Sequence, residues 1–145
     1  MANLIVAEDD HDAGMLMQLV LRKGGHQVRL VESGQGVLDA CREDPPDVFL
    51  LDVGMPGMDG ATFLSKAAKV LPAAPRILLT GQADLQSAIS AVNDGHIFRF
   101  LTKPCPPPML LGAVDAAYHQ FRLINAEREL LELFTGAQAG PYQQL

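Results

Sequence analysis

The stretch LLDVGMPGMDG, residues 50–60, decides the fold because it joins a buried strand to a sharply punctuated loop. The aliphatic run that leads into it, residues 47–52, is typical of a parallel strand that helices cover on both faces. One carboxylate, Asp52, ends this run, and the glycine and proline residues after it stop regular structure. An isolated acid at the exit of a buried strand directs attention to the ends of the other strands.

Strand-like runs alternate with helical patterns along the chain. The predicted strands are residues 3–8, 27–32, 47–52, 75–80 and 97–101. The predicted helices carry these residues on one face each: Leu16, Leu19, Val20 and Lys23; Val37, Leu38 and Cys41; Phe63, Leu64, Ala67, Ala68 and Leu71; and Leu85, Ala88, Ile89 and Val92. The alternation predicts an α/β fold with a doubly wound parallel sheet, whose ligands lie beyond the carboxyl ends of the strands.

Bulk composition favours one cytoplasmic domain. The 145 residues are 48% hydrophobic, enough for a single core, and Cys41 and Cys105 lack the spacing of a metal site and read as reduced thiols. A net charge of −6 argues against a nucleic-acid partner, which requires clustered lysine and arginine. The sequence shows no signal peptide and no apolar run of membrane-spanning length, so we expect no membrane partner.

Polar side chains end four of the five predicted strands. Glu8 and Asp9 follow the first strand, Asp52 ends the third, Thr80 ends the fourth, and Lys103 follows the fifth. Two carboxylates about 4 Å apart repel by roughly 4 kcal/mol at an effective dielectric constant of about 20. If the first and third strands are neighbours, a cation must neutralise their acids, and Mg²⁺ prefers such oxygen ligands.

Simpler roles exist for single members of this group. Asp9 or Asp10 could cap the first helix, and Asp52 alone could be a turn residue. Three acids, a hydroxyl and a lysine on four strand ends are poorly explained by coincidence.

Four motifs in this order resemble the receiver domain of bacterial two-component response regulators, over residues 2–120. They are VAEDD (6–10), LLDVGMPGMDG (50–60), ILLTG (77–81) and FLTKP (100–104). The resemblance implies a flavodoxin-like five-stranded sheet of order 2-1-3-4-5. It also implies that Asp52 accepts a phosphoryl group from the phosphohistidine of a sensor histidine kinase or a phosphotransfer protein.

The resemblance assigns roles to further residues of the site. The Mg²⁺ ligands it implies are Glu8, Asp9, Asp52 and the main-chain carbonyl of Gly54. Thr80 and Lys103 would contact the phosphoryl oxygens, and Phe100 would be the aromatic side chain that turns inward when Thr80 moves. The residues flanking the site would be Gly54, Gly81, Gln82 and Pro104, of which Pro104 resembles the family's cis proline.

The resemblance places the output surface on the fourth helix, fifth strand and fifth helix of a receiver domain at residues 1–120. Residues 121–145 would form a helical extension and a flexible linker or tail. Leu110, Ala117, Ile124 and Leu131 recur at intervals of seven. The extension is either a solvated end of the last helix, or a signalling helix that forms a homodimer or leads to an output domain missing from this chain. The amino-acid sequence around this extension is also similar to that of receivers fused to HD-type cyclic dinucleotide phosphodiesterases.

Two other classes of function share parts of this pattern. A metal-dependent hydrolase of the haloacid dehalogenase type also forms an aspartyl phosphate, but it needs a second acid two residues after its nucleophile, where this chain has Gly54. A flavin- or nucleotide-binding module needs a glycine-rich phosphate cradle after the first strand, where this chain has acids. We therefore expect a signalling module that acts only on itself.

Overall fold

The computed structural model describes residues 1–55, 74–81 and 97–135. Its strands are β1 (Asn3–Ala7), β2 (Gln27–Val31), β3 (Val48–Asp52), β4 (Arg76–Thr80) and β5 (Ile97–Thr102). Its helices are α1 (His11–Lys23), α2 (Gly34–Glu43) and the C-terminal helix (Pro107–Thr135). All five predicted strands are confirmed to within a residue at each end.

The strands form one sheet in the order β2-β1-β3-β4-β5, and every described pairing is parallel. This is the predicted flavodoxin-like order. Because β1 and β3 are neighbours, with Ala7 opposite Leu51, the residues that follow them meet at one edge of the sheet. The chain leaves β1 towards β2 on one side and β3 towards β4 on the other, which makes this edge the switch point of the fold.

Alternate residues of the central strands enter two cores. One core lies beneath α1 and the C-terminal helix and includes Leu4, Val6 and Leu50. The other lies beneath α2 and includes Ile5 and Phe49. All of these side chains are fully buried, so β1 and β3 carry apolar residues on both faces, as the continuous aliphatic runs predicted.

The ends of the first two helices follow the capping rules. The side chain of Asp10 accepts a hydrogen bond from the N–H of Ala13, and Ser33 does the same for Gly36. The capping role considered for Asp10 is therefore confirmed. Helix α1 stops at Gly24, and α2 stops two residues before Pro45.

The buried face of α1 differs from the predicted one. Leu16 and Leu19 are 61% and 55% exposed, whereas Gly14 and Leu21 are buried. The reason is the close approach of α1 to β2: a Cβ atom on Gly14 would lie 3.0 Å from both δ-methyl groups of Leu30. The spacing of apolar residues alone did not reveal that a glycine would lie on the contact face of α1.

The C-terminal helix continues well past the sheet, as predicted. Its buried residues, Leu110, Ala113, Val114 and Ala117, all lie in the first half, while Leu123 and Leu130 are more than half exposed. The residues that recur at intervals of seven between 110 and 131 therefore do not form one continuous surface, because Leu110 and Ala117 belong to the core. The predicted helices at residues 63–71 and 85–92 and the tail at 136–145 lie outside the described residues.

Two further sequence predictions concern cysteines and membrane spans. Cys41 and Cys105 are both free, in agreement with the reduced thiols expected. Among the described residues, every helix falls short of the length and apolar character that a membrane crossing requires.

Candidate functional site

Asp52 is the last residue of β3 and is held from two sides. The N–H of Gly54 donates a hydrogen bond to its Oδ1 atom at 2.9 Å, and Nζ of Lys103 donates to its Oδ2 atom at 2.9 Å. Only 7% of Asp52 is exposed. The carboxylate is thus fixed by a rigid strand and by the turn that follows it, and it lies at the edge of the sheet where the strands open.

Glu8 shares the lysine with Asp52. Nζ of Lys103 donates to Oε1 of Glu8 at 2.9 Å, and the N–H of Asp10 donates to the Oε2 atom of Glu8 at 3.3 Å. Glu8 is 1% exposed and follows β1 directly. One ammonium group therefore pairs with two buried carboxylates from two neighbouring strand ends.

The crowding of these charges moves all three pKa values. Burial, and next its hydrogen bond with Asp52, raises the pKa of Glu8 to about 7. Burial is also the largest influence on Asp52 and would raise its pKa, but the hydrogen bonds with Glu8, Gly54 and Lys103 together lower it. Burial alone would lower the pKa of Lys103, and the two carboxylates overcome that effect and raise it. Of these three groups, Glu8 is therefore the one whose pKa lies near neutral pH.

Asp9 completes a group of three acids. One carboxylate oxygen from each of Glu8, Asp9 and Asp52 lies within 4.8 Å of the other two, with Asp9 exposed and the others buried. The donors are all oxygen, and the exposed side leaves room for water ligands. This donor set fits Mg²⁺, which binds few protein carboxylates and keeps several waters.

Thr80 lies at the end of β4 and Phe100 lies in β5, and the Thr80 hydroxyl has no described hydrogen bond to the acids. Thr80 ends β4 and is fully buried, and its hydroxyl donates to the carbonyl of Gly81 at 2.9 Å. Phe100, in β5, is half-buried; it lies opposite Leu78 of β4 and packs against the core beneath α2. Thr80 therefore ends its strand beside the end of β3, where Asp52 lies, and Phe100 lies two residues before the end of β5.

The remaining predicted positions frame the site. Lys103–Pro104 is a cis peptide bond, and this isomer, which the sequence left open, is the one found at the family's proline that Pro104 resembles. Gly54 is exposed and Gly81 is half-buried, while Gln82 lies outside the described residues. A pocket of about 460 Å³ adjoins Glu8 and lies between α1 and the Lys103–Pro104 segment.

Comparison with known proteins decides the family. Residues 4–115 match the sequence model of the family described as response regulator receiver domain. The chain belongs to this family. The receiver is 34% identical over 117 residues to the DNA-binding transcriptional regulator NtrC of Klebsiella pneumoniae, an alignment that covers 81% of this chain and 25% of NtrC.

Solved structures share the receiver fold. A crystal structure described as adenylate cyclase from Rhodopirellula baltica is 34% identical, with a TM-score of 0.83, and the match covers 90% of this chain and 96% of that one. A response regulator receiver domain protein from Clostridium thermocellum is 28% identical, with a TM-score of 0.79 and coverages of 86% and 99%. Family membership makes the chain a signalling module rather than a classical enzyme, and the family binds Mg²⁺ at an acidic pocket of this kind.

The receiver's site includes main-chain groups that the sequence analysis did not name. The N–H of Gly54 fixes Asp52, and the N–H of Asp10 contacts Glu8. No side-chain motif reveals such donors. Their positions, two residues after each acid in a turn, were the available signal.

Proposed function

We propose that this receiver domain is switched by phosphorylation of Asp52 by a histidine kinase or a phosphotransfer protein. The observation that carries the proposal is the position of Asp52, which is held between the N–H of Gly54 and Nζ of Lys103 inside a group of three acids. Its low pKa keeps it ionised and nucleophilic at neutral pH.

The transfer requires one bond to form and one to break. A carboxylate oxygen of Asp52 forms the new O–P bond while the P–N bond of the donor's phosphohistidine breaks, and the imidazole leaves with the electron pair. The phosphoryl oxygens bring additional negative charge to the site. Lys103 is the cation that can neutralise this added charge, since its ammonium group already reaches Asp52.

The acids would also hold a metal ion. Glu8, Asp9 and Asp52, with the main-chain carbonyl of Gly54, are the residues proposed to bind Mg²⁺, in support of which the three carboxylates lie within 4.8 Å of one another. When bound, Mg²⁺ would neutralise the charge that builds up on the phosphoryl oxygens. Glu8, the most buried of the acids, would have to release its proton on metal binding.

Thr80 and Phe100 are proposed to carry the response away from the site. The Thr80 hydroxyl now satisfies the carbonyl of Gly81 and would exchange that partner for a phosphoryl oxygen. Phe100 is only half-buried in β5 and would turn inward as Thr80 moves. The altered surface would comprise β5, the C-terminal helix and the predicted helix at residues 85–92. Gly81, Gln82 and Pro104 would shape the approach to the phosphoryl group.

Helix α1 is the proposed contact for the phosphoryl donor. It begins two residues after the acids and presents Met15, Leu16 and Leu19, each about half exposed or more. The adjoining pocket is lined by Leu16 and Met17 on one side and Lys103 on the other. A donor helix seated there would bring its phosphohistidine to the open side of Asp52.

The proposed boundaries are residues 1–120 for the receiver and 121–145 for the extension. The chain spans 25–30% of the length of the curated relatives it matches first. We propose that a cytoplasmic output domain or partner reads the switch. An HD-type phosphodiesterase stays a prediction for that domain, and NtrC, one of the relatives named above, is a transcriptional regulator.

The test is the intact mass of the protein after incubation with acetyl phosphate, with and without Mg²⁺. We expect a Mg²⁺-dependent gain of one base-labile phosphoryl group in the wild type and in Asp12→Asn, a control acid in the first turn of α1. Asp52→Asn should show no gain. An equal gain in Asp52→Asn would reject the assignment, and a small donor that fails should be replaced by phosphorylated kinases before the wild type is judged inert.

A further inference from the structure

The pocket beside Glu8 has apolar walls on two sides. Helix α1 supplies Ala13, Leu16 and Met17, which are three and four residues apart and therefore lie on one face of the helix. The facing wall includes Pro104 and Leu110. A volume of about 460 Å³ and a mainly apolar lining with a few polar groups are typical of a site for a drug-sized molecule.

Three charged residues that contact one another also line the pocket. Nζ of Lys103 donates a hydrogen bond to Oε1 of Glu8 at 2.9 Å. The N–H of Asp10 donates to the other carboxylate oxygen of Glu8 at 3.3 Å. The charged groups are therefore gathered in one part of the pocket, here called its charged end, and apolar residues make up most of the rest.

The charged end is negative overall. The one positive charge, on Lys103, is already matched by hydrogen bonds to two carboxylates, those of Glu8 and Asp52. Asp10 adds a further carboxylate, whose Oδ1 atom accepts from the N–H of Ala13 at 3.2 Å. Within the described part of the chain, its Oδ2 atom has no hydrogen-bond donor. Asp10 and Asp52 outnumber the lysine even when Glu8 is protonated, so a cationic group is complementary to this end.

We propose that this pocket binds a small molecule that carries a protonated amine on an apolar body, with the amine at Asp10 and Glu8 and the body against α1. This inference goes beyond the phosphorylation of Asp52 and does not rest on it. Leu16 is 61% exposed although it lies on the helix face that the sequence pattern predicted to be buried. An apolar body in the pocket would remove part of this surface from water, which favours binding.

The first test is an NMR titration of the whole chain with 4-phenylbutylamine, in excess chelator so that the protein is free of metal. The amine keeps its proton at neutral pH. Methionine methyl groups report the site, because Met17 lines the pocket whereas Met55 is buried in the core beneath α2. We expect a saturable shift of the Met17 signal with a millimolar dissociation constant, and no shift of Met55. No saturable shift of Met17 up to about 20 mM amine would overturn the proposal.

Analogues with the same apolar body test the charge of the ligand. The neutral 4-phenylbutanol should bind about threefold more weakly than the amine, which is the effect of one partly exposed ion pair. The anion 4-phenylbutanoate should bind more weakly still, because the charged end repels it. Equal affinity for the amine and the alcohol would overturn the assignment of a cationic ligand.

Two substitutions separate the charged end from the apolar wall. Asp10→Asn keeps a side chain that caps α1 and removes one negative charge, so it should weaken the amine about threefold and leave the alcohol unchanged. Ala13→Leu adds bulk to the wall and should weaken both ligands at least about tenfold. An unchanged Met55 signal in each variant shows that the core is intact.

Asp12→Asn is the matched control for Asp10→Asn. Asp12 is an acid in the first turn of α1 that lies outside the described lining of the pocket. It should bind the amine as the wild type does. If Asp10→Asn and Asp12→Asn bound the amine equally, the amine would not lie at the charged end and the proposal would fail.

The thiol of Cys105 gives an independent measurement in unlabelled protein. Cys105 lines the pocket and is half-buried, whereas Cys41, the second of the two cysteines, is buried. Iodoacetamide should therefore alkylate Cys105 first, and Cys105→Ser should lose this fast reaction. Saturating 4-phenylbutylamine should slow the alkylation of the wild type by the factor 1 + [L]/Kd, with Kd taken from the NMR titration. An alkylation rate that does not depend on the amine would place the ligand elsewhere and overturn the proposal.

Discussion

Lys103 donates a hydrogen bond to Asp52, with Nζ 2.9 Å from Oδ2, and it makes the same contact at 2.9 Å with Glu8. A single ammonium group thus compensates two buried carboxylates from neighbouring strands. A metal ion bound by the acids would compensate part of the same negative charge as Lys103. The lysine is therefore expected to matter for stability as well as for the response to phosphorylation.

Lys103→Ala should destabilise the metal-free protein at neutral pH by about 1–3 kcal/mol, because two buried acids lose their cation. The value lies below that of a fully buried pair because the Lys103 side chain is 37% exposed and partly screened by water. Urea denaturation measures the change. Mg²⁺ should stabilise Lys103→Ala more than the wild type, and Lys23→Ala, an exposed lysine of α1, should behave as the wild type. If Mg²⁺ stabilised the wild type and Lys103→Ala equally, the lysine and the metal ion would not be compensating the same carboxylates.

The stability of the metal-free domain should fall as pH rises between about 4.5 and about 7. Burial, and next the hydrogen bond with Asp52, raises the pKa of Glu8 from 4.5 to about 7, so the folded state binds this proton more tightly than the unfolded state. The contribution is complete below about pH 4.5 and is lost as pH passes the folded value. Asp52 has a lowered pKa and acts in the opposite direction, but below its ordinary value of 3.8.

Glu8→Gln provides the comparison for this pH dependence. The glutamine cannot titrate, so the decline in unfolding free energy across this range should be smaller than in the wild type by the contribution of Glu8. Excess chelator keeps both proteins free of metal. Identical pH profiles for the two proteins would remove Glu8 as the titrating group.

Much of the fold could be predicted because its strands are chemically simple. Leu50 and Phe49 enter opposite cores, so the run around them has no polar face and can only be a central strand. The contact face of α1 could not be predicted, because Gly14 leads it by allowing Leu30 to approach. A glycine carries no apolar signal, and its role depends on the neighbouring strand.

The candidate site could likewise be predicted from the sequence only in part. Side chains at strand ends, such as Asp52 and Lys103, could be placed from sequence because parallel strands end together. Partner choice could not be derived, since the Thr80 hydroxyl bonds to the adjacent carbonyl of Gly81 rather than to the acids. Hydrogen-bond direction depends on atomic positions that a residue pattern does not contain.

Thr80→Val should leave Asp52 able to accept a phosphoryl group but should abolish the conformational response. Valine keeps the shape of the fully buried threonine and removes the hydroxyl. Hydrogen exchange of β5, compared before and after phosphorylation, measures the response in a protein that lacks tryptophan. Thr80→Ser, which keeps the hydroxyl, is the control and should respond. A full response of Thr80→Val would exclude the hydroxyl from the switch.

His26→Ala should lower stability without affecting phosphorylation of Asp52. The Nδ1 atom of His26 accepts from the N–H of Ala2 at 3.0 Å, so the neutral ring carries its proton on Nε2 and donates to Asp115 at 2.9 Å. This contact ties the start of β1 to the C-terminal helix at the edge of the sheet opposite Asp52. Removal of the ring leaves the buried N–H of Ala2 without its acceptor and should cost about 1–3 kcal/mol.

Asp115→Asn separates the two hydrogen bonds of His26. The Asp115 side chain is 65% exposed and the asparagine can still accept from Nε2, so this variant should lose less than about 1 kcal/mol. Urea denaturation and acetyl phosphate labelling of both variants give the two readings. If Asp115→Asn were as unstable as His26→Ala, the contact with the helix, rather than the bond to Ala2, would dominate; if His26→Ala also lost labelling, the two edges of the sheet would be coupled.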